Sequence, residues 1–79
     1  MQINHIEYFL EVARCQSISK AAKNLFITQS TLSTSIATFE NELGFKLFTR
    51  LRQGVILTPE GEKVLEDAQF YKFYKWILS

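Results

Sequence analysis

"ITQSTLSTSIATFENELG", residues 27–44, decides how the chain folds. Seven of the eleven residues from Thr28 to Thr38 carry a hydroxyl. Ser and Thr weaken helices because their hydroxyls compete for backbone hydrogen bonds. Leu32, Ile36, Phe39 and Leu43 nevertheless recur at i, i+4, i+7 and i+11, a helical period. Thr28 stands where an N-cap belongs, and Gly44 where a left-handed residue closes a helix. At about 100° per residue, Ser30, Thr34, Ala37 and Asn41 fall opposite the apolar stripe, with Ser33 and Thr38 at its shoulders.

N-terminal to this helix, "FIT" is a tight connection of three residues to a short helix, "KAAKNL", capped by Ser17 or Ser19. Ala21, Ala22 and Leu25 would face inward there, and the two alanines let another helix approach closely. Before it, Asn4 is an expected N-cap with Glu7 completing a capping box, followed by a stripe of Ile6, Phe9, Leu10 and Ala13. C-terminal to Gly44 the period changes. "KLFTRL" and "VILT" are rich in β-formers and flank a turn-like "RQG", which predicts a hairpin. Thr58 then caps a last helix with Pro59 at its first position and Glu60 and Glu62 in its first turn, continuing to about Trp76 or Leu78.

The expected fold is therefore mainly α: a winged helix-turn-helix of three helices plus a two-stranded wing, followed by a long linker or dimerisation helix. Residues 1–58 form the winged domain, with the helix-turn-helix at about 18–37 and the wing at about 46–58, and residues 59–79 form the linker helix.

Composition narrows the function. The chain has 79 residues, enough for one small domain, and is 47% hydrophobic, which favours a folded core. Cys15 is the only cysteine, so no internal disulfide forms. No apolar run is long enough for a membrane span and the N-terminus has no basic leader, so the expected location is cytoplasmic. The net charge of +1 is small, but Lys46, Arg50 and Arg52 gather at the wing, apart from Glu60, Glu62, Glu66 and Asp67. With no Gly-rich phosphate loop, no metal-ligand spacing and a single histidine, neither an enzyme, a metal site nor a cofactor is expected.

A narrow helix face of short hydroxyls suits the DNA major groove, where it can hydrogen-bond phosphates and base edges without bulk. Gln29, in the first turn, carries an amide suited to adenine's N6/N7 edge.

"SKAAKNLFITQSTLSTSIATFENELGFKLFTR" and the later "LTPEG" resemble the DNA-binding domain of LysR-type transcriptional regulators. The resemblance covers residues 1 to about 68. It implies a sequence-specific transcriptional regulator that binds double-stranded DNA as a homodimer on a pseudo-palindromic operator. DNA contacts are expected from Thr28, Gln29, Ser30, Thr31, Ser33, Thr34 and Lys20, and from Arg50 and Arg52 in the wing. Members of the family often carry basic residues where this chain has Thr34, Ala37 and Thr38, and an arginine where it has Gln53. Fewer cations release fewer counterions, which makes pairing of two copies more necessary. Val64, Leu65, Ala68, Tyr71, Lys72 and Trp76 are the expected dimerisation residues, in a helix whose tail "QFYKFYKWILS" is aromatic all round. Such regulators normally continue into an effector-sensing domain, so no small-molecule effector site is expected within this chain. The alternative function is a truncated regulator that pairs with a full-length relative through this helix.

Some residues carry plainer readings. His5 reads as structural, Cys15 as a small buried filler, and Glu40 as a surface or packing group. Lys20 and Lys23 also fit ordinary surface positions, and Arg50 has Glu40 or Glu42 as a rival partner inside the fold.

Overall fold

A computed structural model describes the backbone of residues 2–78, and the side chains of these except Ile3 and residues 70–78. The order is α1 (Ile3–Cys15), α2 (Ile18–Leu25), α3 (Gln29–Leu43), β1 (Phe48–Leu51), β2 (Gly54–Leu57) and α4 (Pro59–Leu78). This is the expected winged helix-turn-helix with a following long helix.

The α1 start differs from expectation. Gln2 is extended at φ −112° and ψ 156°, and its carbonyl accepts the His5 N–H at 3.1 Å. Asn4 is already inside the first turn, so its side chain cannot cap, and α1 has no side-chain cap. The buried stripe of α1 also extends to Val12, beyond the residues expected. Ile6, Phe9 and Val12 are all buried, because α2, α3 and α4 all pack against α1. A helix with three neighbours needs apolar residues around most of its circumference.

Packing of α2 follows its small residues. Ser17 Oγ accepts the Lys20 N–H at 3.1 Å, and Ile18, Ala21 and Ala22 are buried. Phe26 makes the turn at φ 59°, a conformation uncommon for a bulky residue, while the Ile27 N–H donates to the Ala22 carbonyl at 3.1 Å. α3 behaves as its sequence says. Thr28 caps it, Gly44 ends it at φ 85°, and Leu32, Ile36 and Phe39 are buried. Phe9 meets Phe39 edge-on at 6.2 Å and Phe48 at 5.4 Å, which joins α1, α3 and the wing in one core.

The wing is an antiparallel pair in the register Phe48↔Leu57, Thr49↔Ile56, Arg50↔Val55 and Leu51↔Gly54. Gly54, expected in the turn, begins β2 instead. A Cβ at Gly54 would overlap the Gln16 carbonyl oxygen, which accepts the Val55 N–H at 3.1 Å. The strand edge can therefore dock on the α1–α2 corner only with glycine here. "LTPEG" has an equally local explanation. Thr58 Oγ1 accepts the Gly61 N–H at 2.9 Å and donates to the Lys46 carbonyl at 2.7 Å, while the Thr58 N–H reaches the Leu47 carbonyl at 3.0 Å.

The first half of α4 lies against α1. Ala68 is 5% exposed in the single chain, and Val64 and Leu65 are half-buried against the same core. These three residues were expected to meet a second copy. Within the single chain they pack on α1, with Val64 and Leu65 keeping part of their surface exposed. Tyr71, Lys72 and Trp76 lie outside the described side chains.

Cys15 packs against the core but is only half-buried, and its thiol donates to Glu11 Oε2 at 3.4 Å and accepts from Asn24 Nδ2 at 3.4 Å. Glu11 joins α1 to the end of α2, accepting from Arg14 Nε at 3.0 Å and from Asn24 Nδ2 at 2.8 Å. The Arg14 guanidinium, then Asn24, hold its carboxyl down at about 2. His5 is structural as read, 7% exposed, 5.7 Å from the Phe39 ring, with Nδ1 3.4 Å from Glu42 Oε1. Among the described residues no helix is long and apolar enough to cross a membrane, and no cluster of acids, His and Cys is placed to hold a metal.

Candidate nucleic-acid interface

The N-terminal half of α3 presents an exposed polar surface on a helix anchored in the core. Gln29, Ser30, Thr31 and Thr34 are exposed, Ser33 is half-buried, and Leu32 and Ile36 on the other side fix the helix in place. Thr28 is occupied within the helix. Its Oγ1 accepts the Thr31 N–H at 3.1 Å and donates to Thr31 Oγ1 at 2.9 Å. Capping uses the Thr28 hydroxyl, which leaves the hydroxyl proton of Thr31 for an outside acceptor.

No acid or base lies on α3 between Gln29 and Phe39. Positive charge reaches the helix from the wing instead. Alternation along β1 puts Phe48 and Arg50 on the inner face, and Arg50 lines a cleft of about 320 Å³ together with Ser33, Ala37, Glu40 and Lys46. Arg52 is exposed in the two-residue turn, beside Gln53. Lys20 is exposed on α2 and shares a second cleft with Leu51, Gln53 and Ile56 of the wing. The fold thus brings Ser33 to Arg50 and Lys20 to the wing tip, while Gln29, Ser30 and Thr34 stand clear of both clefts.

The sequence offered Glu40 as a surface or packing group or as a partner for Arg50. It is 8% exposed, and its Oε2 accepts the N–H groups of Leu47 at 2.7 Å and Phe48 at 3.4 Å. Lys46 Nζ lies 3.9 Å from its other oxygen. Glu40 is thus engaged by the start of the wing, which removes it as the proposed partner of Arg50. Its place one residue after buried Phe39 was the available signal, since a carboxylate beside the apolar stripe must find donors when buried. Phe26 is also new. It is 95% exposed in the turn before Thr28, where sequence alone showed only a connection.

A rigid helix with a polar outer face, flanked by a cationic hairpin, defines the winged helix-turn-helix class of nucleic-acid-binding domains. The chain belongs to the LysR family: residues 3–62 match the family described as bacterial regulatory helix-turn-helix protein, lysR family. The HTH-type transcriptional regulator HdfR of Yersinia enterocolitica is 44% identical over 69 residues, covering 87% of this chain and 24% of the relative. The HdfR of Yersinia pestis is 42% identical over the same length and coverage. The chain therefore spans about a quarter of the length of these curated relatives. Among solved structures, the CbnR_DBD–DNA complex superposes with a TM-score of 0.91 at 31% identity, covering 95% of this chain and 86% of that one. The BenM_DBD/catB site 1 DNA complex gives 0.89 at 35% identity, covering 99% and 85%.

Proposed function

We propose that this chain binds double-stranded DNA in a sequence-specific manner and serves transcriptional regulation in the cytoplasm as a homodimer on a pseudo-palindromic operator. The rigid, exposed first turns of α3 beside the wing cations carry this reading. The DNA complexes of its structural relatives support it.

In this reading α3 enters the major groove. Gln29 reads a base edge, and Ser30, Thr31, Ser33 and Thr34 supply hydroxyls to bases and phosphates. Lys20, Arg50 and Arg52 neutralise phosphates. Thr28 contributes through the cap rather than by contact. Residues 1–58 do the reading and residues 59–79 the pairing. Two recognition helices must stand about 34 Å apart to meet successive major grooves on one side of the duplex. We assign pairing to α4, through Val64, Leu65 and Ala68 together with Tyr71, Lys72 and Trp76 of the aromatic stretch after Gln69.

Gel-shift titration on duplexes selected from a random pool, at two salt concentrations, with solution mass measured in parallel, tests the proposal. A selected sequence bound by a dimer is expected. Equal binding to selected and random duplexes rejects sequence-specific reading. A monomer that binds a two-half-site duplex as tightly as two independent sites rejects the homodimer.

A further inference from the structure

Resting on the DNA-binding reading above, we infer that Glu40 is a positioning residue: it fixes the wing against the recognition helix and so sets where Arg50 stands relative to Ser33 and Gln29. Apolar packing of Leu47, Phe48, Val55 and half-buried Leu57 also holds the wing to the core. Each strand is four residues long, and its buried apolar side chains are Phe48 and Val55. Apolar packing is non-directional and tolerates sliding. Glu40 supplies the direction. It lies one residue after Phe39, which is 1% exposed in the core, so its backbone is anchored by the packing of α3. One carboxylate oxygen takes the N–H groups of Leu47 and Phe48, the two residues that lead into β1. Both peptides therefore stay within hydrogen-bond reach of a single point on α3.

Arg50 follows two residues later on the same strand face and lines the cleft that Glu40, Ser33 and Ala37 share. A shift of the 47–48 peptides would carry Arg50 with it. The other ties of the wing reach different elements: Val55 bonds the α1–α2 corner and Thr58 bonds residues 46 and 47. Among the described residues Glu40 is the side chain on α3 that hydrogen-bonds the wing. Its other oxygen lies 3.9 Å from Lys46, which has no assigned DNA contact, so its effect on the assigned contacts passes through Arg50. A charge-assisted bond to backbone N–H groups is among the stronger hydrogen bonds a protein makes, which suits an anchor.

The test is a double-mutant cycle on a duplex selected from a random pool by the unmodified protein. Glu40→Ala should weaken binding about tenfold, with Glu40→Gln retaining most of the affinity because its amide oxygen still accepts the Leu47 N–H. In an Arg50→Ala background the same Glu40→Ala change should cost less than about twofold, whereas in a Gln29→Ala background it should still cost about tenfold. Amide exchange at Leu47, measured without DNA, should accelerate in Glu40→Ala while amides of α1 stay protected. A folded Glu40→Ala protein that binds as tightly as its parent overturns the inference. So does an equal loss in the Arg50→Ala background, which would mark a general effect on folding. A parent protein that selects no duplex overturns the DNA reading together with this one.

Discussion

The helix-turn-helix and the wing are held to one domain by different physics. α2 and α3 are fixed by apolar interdigitation: Ala21, Ala22, Leu32, Ile36 and Phe39 are all buried, around Phe9 and Val12 of α1. The wing buries Phe48 and Val55 on its inner face, while Leu51 and Ile56 on the outer face stay 42% and 44% exposed. Its position comes from directional bonds to Gln16, Glu40 and Thr58. A long helix can afford a polar outer face because its inner stripe supplies enough burial. A hairpin of four-residue strands cannot, and needs hydrogen bonds and close glycine contacts to define its place. The same division separates the proposed duties, with neutral hydroxyls on the packed helix and cations on the hydrogen-bonded hairpin.

Breaking the apolar side gives the largest expected effect. Phe39→Ala removes a side chain that touches both Phe9 and His5 and should cost about 3–5 kcal/mol of unfolding free energy in denaturant melts. Retention of near-parental stability would show that the core repacks around the hole. The directional side is tested by Gly54→Ala, whose Cβ would overlap the Gln16 carbonyl. A loss of about 1–3 kcal/mol is expected, with amide exchange rising first in the wing and at Val55. A uniform rise across all helices would mean that the wing is not the separately held unit described here.

Binding measurements sharpen the functional half of the comparison. Gln29→Ala should cost about 1–3 kcal/mol on a selected duplex and little on random DNA, as loss of a base contact does. Arg50→Ala and Arg52→Ala should each weaken both duplexes alike and lower the salt slope by about one unit. If Gln29 and the arginines behaved the same way, helix and wing would not divide reading from neutralisation.

The smallest effect lies away from both, at the α1–α2 junction. Glu11 is held at about 2, below its ordinary value of 4.5, by Arg14 and Asn24. A lowered folded-state value means that ionised Glu11 stabilises the fold above the ordinary value, and that this contribution is lost as pH falls from about 4.5 to about 2. Glu11→Gln should therefore flatten the stability profile across that window, leaving neutral-pH DNA affinity unchanged. An identical acid limb in parent and variant would remove Glu11 from the linkage.

Local signals were the ones legible in the sequence. α3 could be bounded at both ends from Thr28, Gly44 and the Leu32–Leu43 stripe, because caps and amphipathic period are properties of neighbouring residues. The start of α4 was readable for the same reason, as Thr58, Pro59 and the two glutamates act within one turn. The resemblance to the LysR family rested on the same stretches and agrees with the family match. The α1 start was misread because Asn4 and Glu7 matched a capping box, whereas the helix begins earlier, with the His5 N–H bonded to the Gln2 carbonyl.

What the sequence alone determined, then, is the order of elements, the polar outer face of α3 and the cationic wing, all set by spacing along the chain. Only the tertiary structure decided how deeply the apolar residues of α1 and α4 are buried and where the isolated polar groups go. Val12 and Ala68 are buried because α1 has neighbours on several sides, and no single helical stripe encodes that number. Cys15 joins a polar cluster because α2 brings Asn24 beside it. Glu40 finds its partners seven and eight residues away because the chain turns back after Gly44. Each of these depends on distances between segments, which a period read along one segment does not contain.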